Sequence, residues 1–324
     1  MKDGKKQTSI QHCKLCGGEQ MKLIRDTLRY DIKRRVLRCE GCSFIQLERN
    51  VSDGSQYTES KEYKDQYGPA PYHPSSCQEI FDTYLSFQGD IIKEIEAILP
   101  RAESILDIGC QTGHLLHALE GQIPTRVGLE LNTDDVSFIK KTLDFPIYDK
   151  PIETVSIKEA PFDLITAIQV LEHIDDLDSF LEGIKRNLKE GGHVYIEVPN
   201  ARDVLITGYK NKAYEKFFYY EPHLNYFSNE TLERLLAKHG FSGTTKTVQR
   251  YSLLNHIHWM HTGRPQNDFT VGNSVPALIE KKDTTDELSV ELNKLIAEAD
   301  LKYKSIVQKH GVGEVLIFLG KKNE

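Results

Sequence analysis

The tightest constraint on this chain is one loop and the residues on either side of it. Ser104-Ile105-Leu106-Asp107-Ile108 is an apolar run of strand length that passes directly into Gly109-Cys110-Gln111-Thr112-Gly113 and then into a helical segment, His114 to Leu119. Strand, glycine loop and helix in that order make a unit of a parallel α/β sheet, and the loop falls at the carboxyl edge where such sheets hold ligands. Gly109 lets the backbone approach a ligand closely, and Gly113 lets the loop turn into the helix. The pattern is Asp-x-Gly-x-x-x-Gly, not the GxGxxG of a pyrophosphate loop. An acid ahead of the first glycine suits a ligand with a cationic amino end.

The segments that follow extend the same sheet. Arg126-Val127-Gly128-Leu129-Glu130 is a second strand ending in an acid 23 residues after Asp107, where a carboxylate can accept hydrogen bonds from both hydroxyls of a ribose. Asn132 caps the next helix, Pro146-Ile147-Tyr148 makes a short third strand, and the loop Asp149 to Ile152 then falls at the edge of the nucleoside site. Phe162 to Ile168 is almost wholly apolar, as a strand buried on both faces must be, and Gln169 to Ile174 lies at its carboxyl end. Asp175 and Asp176 open a helix through Leu188; Lys189 to Gly192 breaks it before a strand from His193 to Val198, and Pro199-Asn200 closes that strand. Ahead of the loop, Ser75 to Leu99 carries apolar residues at three- and four-residue steps, which predicts one amphipathic helix stopped by Pro100.

Four stretches in this order, LDIGCQTG, VGLE, FDLITAIQVLEHIDD and LKEGGHVYIEVPN, resemble the class I methyltransferases that use S-adenosylmethionine (SAM), over roughly residues 100 to 200. The resemblance implies a Rossmann-like α/β fold with a seven-stranded sheet and SAM as cofactor. Asp107, Gly109 and Gly113 would face its methionine end, Glu130 the ribose, Ile152 the adenine, and Gln169 the mouth of the site. Gln111 departs from the pattern, since such loops more often carry glycine there. The family's sheet ends in an antiparallel pair, for which Ser242 to Gln249 and Gly313 to Leu319 are available, the first after a capped helix from Ser228 to His239. Residues 251–310 are then an insertion with a long helix from Glu287 to His310, and residues 201–227 a second one.

Two CxxC pairs, Cys13-Lys14-Leu15-Cys16 and Cys39-Glu40-Gly41-Cys42, lie 22 residues apart near the N-terminus. That spacing predicts a structural zinc ribbon over residues 1–50, with all four positions filled by thiolate and no open position for water. Gly17 suits the positive φ of the first knuckle, and Ser43 stands at the matching place in the second. His12 is a competing ligand. Short strands are expected at Met21 to Tyr30 and Ile32 to Leu37, with too few apolar residues for an independent core, so the metal supplies folding energy.

Acceptor residues belong just past the carboxyl ends of the strands. Within 201–227, the run Tyr219-Tyr220-Glu221-Pro222-His223-Leu224-Asn225-Tyr226-Phe227 is the richest in hydrogen-bonding and titratable groups. With the double CxxC it is similar to bacterial sugar and surface-polysaccharide methyltransferases that have a zinc-binding head, in which a Tyr-x-Glu-His cluster supplies the base; Pro222 interrupts that cluster here. By this resemblance His223 is the base, Glu221 its orienter and Tyr220 a helper, with Tyr226 of the same stretch against the acceptor; a second cluster of hydrogen-bonding groups, Tyr251 to Trp259, offers Asn255 and His256 as further acceptor contacts. Trp259 offers a ring on which to stack. His173 is read as scaffold. Tyr63 and Tyr67, from the aromatic linker Tyr57 to Tyr72 inside residues 51–99, are assigned contacts over the cofactor.

Charge bears on the acceptor class. Residues 1–50 hold 12 Lys and Arg against 6 Asp and Glu, so the net −7 of the chain divides into +6 there and −13 over the remainder. An acidic body gains nothing from counterion release, which disfavours a nucleic-acid substrate and favours a small sugar or nucleotide sugar. A ribosomal-RNA methyltransferase recruited through the basic head remains the alternative, and a non-catalytic interaction protein a third. No run is long and apolar enough to span a bilayer, and the polar N-terminus is no secretory signal, so the expected location is the cytoplasm.

Overall fold

The computed structural model describes residues 12–49, 76–279 and 286–323. The N-terminal segment folds as three antiparallel strands, β1 (Met21–Thr27), β2 (Lys33–Cys39) and β3 (Ile45–Leu47). A 3-10 turn, Arg29–Asp31, joins the first two, with Tyr30 and Asp31 at φ of 60° and 61°.

Helix α1 (Cys77–Leu85) starts at a capping box in which Ser76 and Glu79 satisfy each other's backbone amides. The single helix expected from Ser75 to Leu99 is two, because the chain leaves α1 at Ser86-Phe87 and re-enters as α2 (Gln88–Ile95). The break is held by side chains: Ser86 Oγ donates to Thr83 O at 2.7 Å and Gln88 Nε2 to Tyr84 O at 2.8 Å, so terminal carbonyls of α1 are satisfied without further helix. Pro100 sits in the 3-10 turn Leu99–Arg101 that leads to the main sheet.

The main domain then runs β4 (Ser104–Ile108), α3 (His114–Ala118), β5 (Thr125–Leu129), α4 (Thr133–Thr142), β6 (Ile147–Tyr148), β7 (Phe162–Ile168), α5 (Leu177–Asn187) and β8 (Leu188–Pro199). After it come α6 (Val204–Thr207), α7 (Lys212–Phe218), β9 (Asn225–Tyr226), α8 (Asn229–Lys238), β10 (Phe241–Val248), α9 (Leu253–Thr262), α10 (Phe269–Asn273), α11 (Glu287–Lys309) and β11 (Val315–Lys322). The seven-stranded order is β10-β11-β8-β7-β4-β5-β6, with β8, β7, β4, β5 and β6 parallel and β11 antiparallel to both its neighbours. This is the Rossmann-like α/β sheet with the expected antiparallel pair at one edge. The chain moves outward from β4 through β5 and β6, then crosses to β7 on the other side. That reversal opens a crevice at the carboxyl edge beside β4. One boundary differs from expectation: β8 already begins at Leu188 and absorbs Gly191-Gly192 as an irregularity, with Gly191 at φ +69° and a register shift against β7.

The N-terminal ribbon is not a free-standing head. β9, from the 201–227 segment, pairs antiparallel with β3 (Ile45 opposite Tyr226, Gln46 opposite Asn225) and completes a four-stranded sheet. Leu28, Val36 and Leu47 pack with Phe218, Tyr219, Leu224 and Tyr226 in one buried cluster. Each such buried aliphatic contributes about 1.5–3 kcal/mol, and here that stabilisation is shared between the ribbon and the segment. Lys14, 2.9 Å from Asp175, ties the ribbon to the loop after β7. No helix among the described residues is long and apolar enough to cross a membrane.

Candidate active site

A cavity of about 1140 Å³ occupies the crevice at the carboxyl ends of β4, β5, β7, β8 and β10 and the start of β11. Pockets for a single drug-sized ligand run to about 1,000 Å³, so the space suits a cofactor and an acceptor together.

The first wall is built from consecutive strand ends. Asp107 is buried at the end of β4 and accepts a hydrogen bond from Thr166 Oγ1 at 2.7 Å; burial pushes its carboxyl up to about 7. Gly109 follows at φ +70°, where a Cβ would stand 2.5 Å from Val170 Cγ2, so only glycine fits against the loop after β7. Gln111 adopts φ 49°, the conformation that glycine takes easily, and its amide donates to Glu130 Oε2 at 2.9 Å. Glu130 Oε1 receives the amides of Leu131 (2.7 Å) and Asn132 (2.8 Å), so one carboxylate clamps the glycine loop to the end of β5. Burial raises its pKa above the ordinary range. Gln169, at φ 55°, lines the cavity and donates from Nε2 to Glu197 Oε1 at 3.2 Å.

Two expected cofactor contacts lie behind this wall. Gly113 is absent from the cavity lining; at φ +80° it brings α3 against Phe145 and Leu143, where a Cβ would come within 2.7 and 2.9 Å. Ile152 is buried in the core against Gly183 of α5, and it also does not line the cavity. Tyr63 and Tyr67 lie outside the described residues.

The opposite wall gathers side chains distant in sequence. His223 lines the cavity with its ring centroid 4.9 Å from that of His173 and 5.4 Å from that of Tyr220. His173 Nδ1 donates to Pro222 O at 3.0 Å, which fixes its tautomer. Burial pulls His173 down to about 4; His223 is pulled well below its ordinary value by burial, then by His173 and Arg29. Both imidazoles are therefore neutral at neutral pH. Glu172, 1% exposed on the same 3-10 turn as His173, has its carboxyl pushed up to about 8 by burial. Tyr220 and Glu221 belong to the turn that carries His223 and are not lining residues.

The remaining acceptor expectations land in structural positions. Tyr226 spends its hydroxyl on the backbone of Tyr220, donating to its carbonyl and accepting from its amide, both at 3.0 Å. Asn255 donates to Gln266 Oε1 at 2.9 Å, and His256 is buried between Tyr303 and Gln249. Trp259 packs edge-on against Tyr214 and Phe217, each 5.0 Å away, and offers no open face to a ligand. None of these four lines the cavity. They brace the insertion against the domain.

Other lining groups went unforeseen. Glu197 at the end of β8 forms a bidentate pair with Arg250, both contacts 2.7 Å. Glu314, before β11, accepts from Arg250 N at 3.0 Å and Gln249 Nε2 at 2.9 Å. The one available signal was a charge inside the apolar run Val194 to Val198, because a buried carboxylate needs a partner. Arg29 also lines the cavity, reaching it from the ribbon, and no local pattern marks it.

Away from the cavity, the ligand atoms of Cys13, Cys16, Cys39 and Cys42 all lie within 4.8 Å of one another. The sulfurs of Cys13 and Cys42 are 3.5 Å apart and those of Cys16 and Cys39 3.6 Å. Four sulfurs about 2.3 Å from one tetrahedral ion would be about 3.8 Å apart, so the set fits zinc and is too open for disulfides. Gly17 and Ser43 share a positive φ, 74° and 64°, as paired knuckles require. His12 is exposed and outside the group.

The family model for a methyltransferase domain matches residues 81–246. The chain belongs to that family. Among similar proteins, a dTDP-4-amino-2,3,4,6-tetradeoxy-D-glucose N,N-dimethyltransferase of Saccharopolyspora spinosa is 29% identical over 39% of this chain and 52% of its own. The mitochondrial ubiquinone biosynthesis O-methyltransferase of Homo sapiens is 28% identical over 48% of this chain and 46% of its own. This methyltransferase thus spans about half the length of the curated relatives it matches. A solved SAM dependent methyltransferase from Archaeoglobus fulgidus aligns over 72% of this chain and 94% of that one, at 19% identity and a TM-score of 0.46.

Proposed function

We propose that this methyltransferase transfers a methyl group from SAM to an oxygen or carbon of a sugar, nucleotide-linked or part of a glycan precursor, with His223 taking the proton. When bound, SAM supplies an electrophilic methyl on its sulfonium. Asp107 as carboxylate would hold the cofactor's amino group and Glu130 its ribose, with Gly109 keeping the approach clear. Zinc on the four cysteines would hold the ribbon's shape and take no part in the chemistry.

The observation that carries the reading is that His223, whose basicity burial lowers, lines the same cavity as Asp107 and Glu130, a space large enough for two ligands. A low basicity is adequate for this task. An alcohol oxygen becomes strongly acidic as it is alkylated, so a weak base in the right place suffices. His173, held by Pro222 O, keeps the His223 ring edge-on, and Tyr220 flanks its other side. The sugar class is also supported by the similarity to an enzyme whose name describes a dTDP-linked amino sugar.

The test is a screen of nucleotide sugars and free sugars with labelled SAM, comparing wild type with His223→Ala. Turnover should fall by about 10²–10⁴ with the affinity for S-adenosylhomocysteine unchanged. Equal rates in the two proteins would remove His223 from the role.

A further inference from the structure

We propose that Arg29, delivered by the N-terminal ribbon, is the anion anchor of the acceptor site, and that the acceptor carries a phosphate or carboxylate group that this guanidinium holds beside His223. The inference rests on the acceptor-site reading above and adds the charge of the acceptor.

The argument comes from comparing the cations that line the cavity. Arg250 is neutralised bidentately by Glu197, Lys246 pairs with Glu94, and Lys304 lies 3.0 Å from Asp300. Lys93 is exposed. Arg29 alone among the half-buried lining cations has no carboxylate within ion-pair distance among the described residues. Its guanidinium lies 3.5 Å from the Phe217 ring centroid and 4.3 Å from that of Tyr220, and its Nε donates to Phe217 O at 2.6 Å. Those contacts orient the group but give it no counter-charge among the described residues. A cation removed from water without a counter-charge is costly, and the cost is offset when a ligand supplies the anion.

Position and chemistry agree with that use. Arg29 lies 4.3 Å from the Tyr220 ring, whose centroid is 5.4 Å from that of His223, and both Arg29 and His223 line the cavity, so an anion held there brings the rest of the molecule to the base. The planar guanidinium fork matches two oxygens of a phosphate or a carboxylate, which an ammonium does not. Arg29 is also placed rigidly. Its amide donates to Tyr219 O at 2.7 Å, and neighbouring Leu28 is fully buried in the shared core. The ribbon therefore contributes a side chain to the site as well as a strand to the fold.

Calorimetry on the full chain, saturated with S-adenosylhomocysteine to block the nucleoside pocket, decides the matter. The probes are inorganic pyrophosphate, dTDP, UDP and glucuronate. At least one should bind the wild type, the phosphates and glucuronate separating the two sources of charge, and Arg29→Gln should weaken it by roughly 10- to 100-fold. Affinity for S-adenosylhomocysteine and zinc content should not change. If Arg29→Gln does not fold, Arg29→Lys serves alone: it keeps the charge, loses the fork, and should weaken binding by about fivefold or more. No binding by the wild type, or equal binding by the substituted protein that folds, overturns the proposal. The two readings fail separately. A neutral sugar methylated with the same KM by wild type and Arg29→Gln would sink the anchor and keep the sugar; Arg29-dependent pyrophosphate binding with no sugar methylated would do the reverse.

Discussion

The two walls of the cavity are built in opposite ways. The cofactor wall is local: Asp107, Gly109 and Gln111 follow one another at the end of β4, and Glu130 and Gln169 stand at the ends of its two neighbours. Its polar groups are held largely by backbone amides, three of them on Glu130 alone. The acceptor wall is assembled from Arg29 in the ribbon, His173 after β7, His223 beyond α7 and Arg250 after β10, and it is held by ion pairs, ring contacts and a shared strand. A wall made from strand ends persists as long as the sheet does. One made from distant pieces depends on each piece being folded, and it is free to change acceptor without disturbing the donor.

Removing the zinc proposed for the four cysteines is the strongest way to break this contrast. With Cys39→Ser the four-cysteine set loses one of its two buried members, and β3, β9 and the Arg29 turn lose their support. Expected are loss of zinc by elemental analysis and loss of acceptor methylation, with S-adenosylhomocysteine still bound. If cofactor binding disappears in parallel, the walls are not separable. Next in size is the Glu197–Arg250 pair. Glu197→Ala leaves a buried guanidinium without its partner and should cost about 3–5 kcal/mol in urea unfolding. Thr166→Val, which removes one hydrogen bond to Asp107 on the other wall, should cost only about 1–3 kcal/mol. Equal losses would mean that the ion pair is no more important to the fold than an ordinary hydrogen bond.

The same contrast governs what the sequence discloses. Glycine at 109, the acid at 107 and the acid at 130 are spaced by the rise of a strand and the length of one helix, so the parallel part of the main sheet was legible from pattern, and its antiparallel pair from the resemblance to the family. Tertiary position decided the rest. Ile152 and Gly113 sit near the motif in sequence but face the core, and Trp259 and His256, attractive by composition, are consumed in bracing α9. Arg29 had no signal because its partners lie about 190 residues away, at Phe217 and Tyr219. The pairing of the ribbon with the 201–227 segment was not legible for a related reason. Two residues, Asn225 and Tyr226, suffice to complete a sheet, and no periodicity is visible in so short a strand.

The smallest expected effect distinguishes the walls by titration. Asp107 has its carboxyl raised by burial from 3.8 to about 7, so the ligand-free protein carries it largely protonated at pH 6 and ionised at pH 8. Only the carboxylate attracts a cationic amino group. Binding below pH 7 must therefore expel a proton, and the affinity for S-adenosylhomocysteine should rise about tenfold per pH unit up to about 7 and level off above it. Asp107→Asn should flatten that slope and leave the affinity weak throughout. The acceptor wall should behave in the opposite sense. With His173 and His223 both depressed, they are already neutral at pH 6, and kcat at saturating cofactor should be level from pH 6 to 7, below the range in which Glu172, raised to about 8, ionises. A kcat that instead climbs through pH 7 while S-adenosylhomocysteine affinity stays flat would move the titrating group from the donor wall to the acceptor wall, and with it the assignment of Asp107.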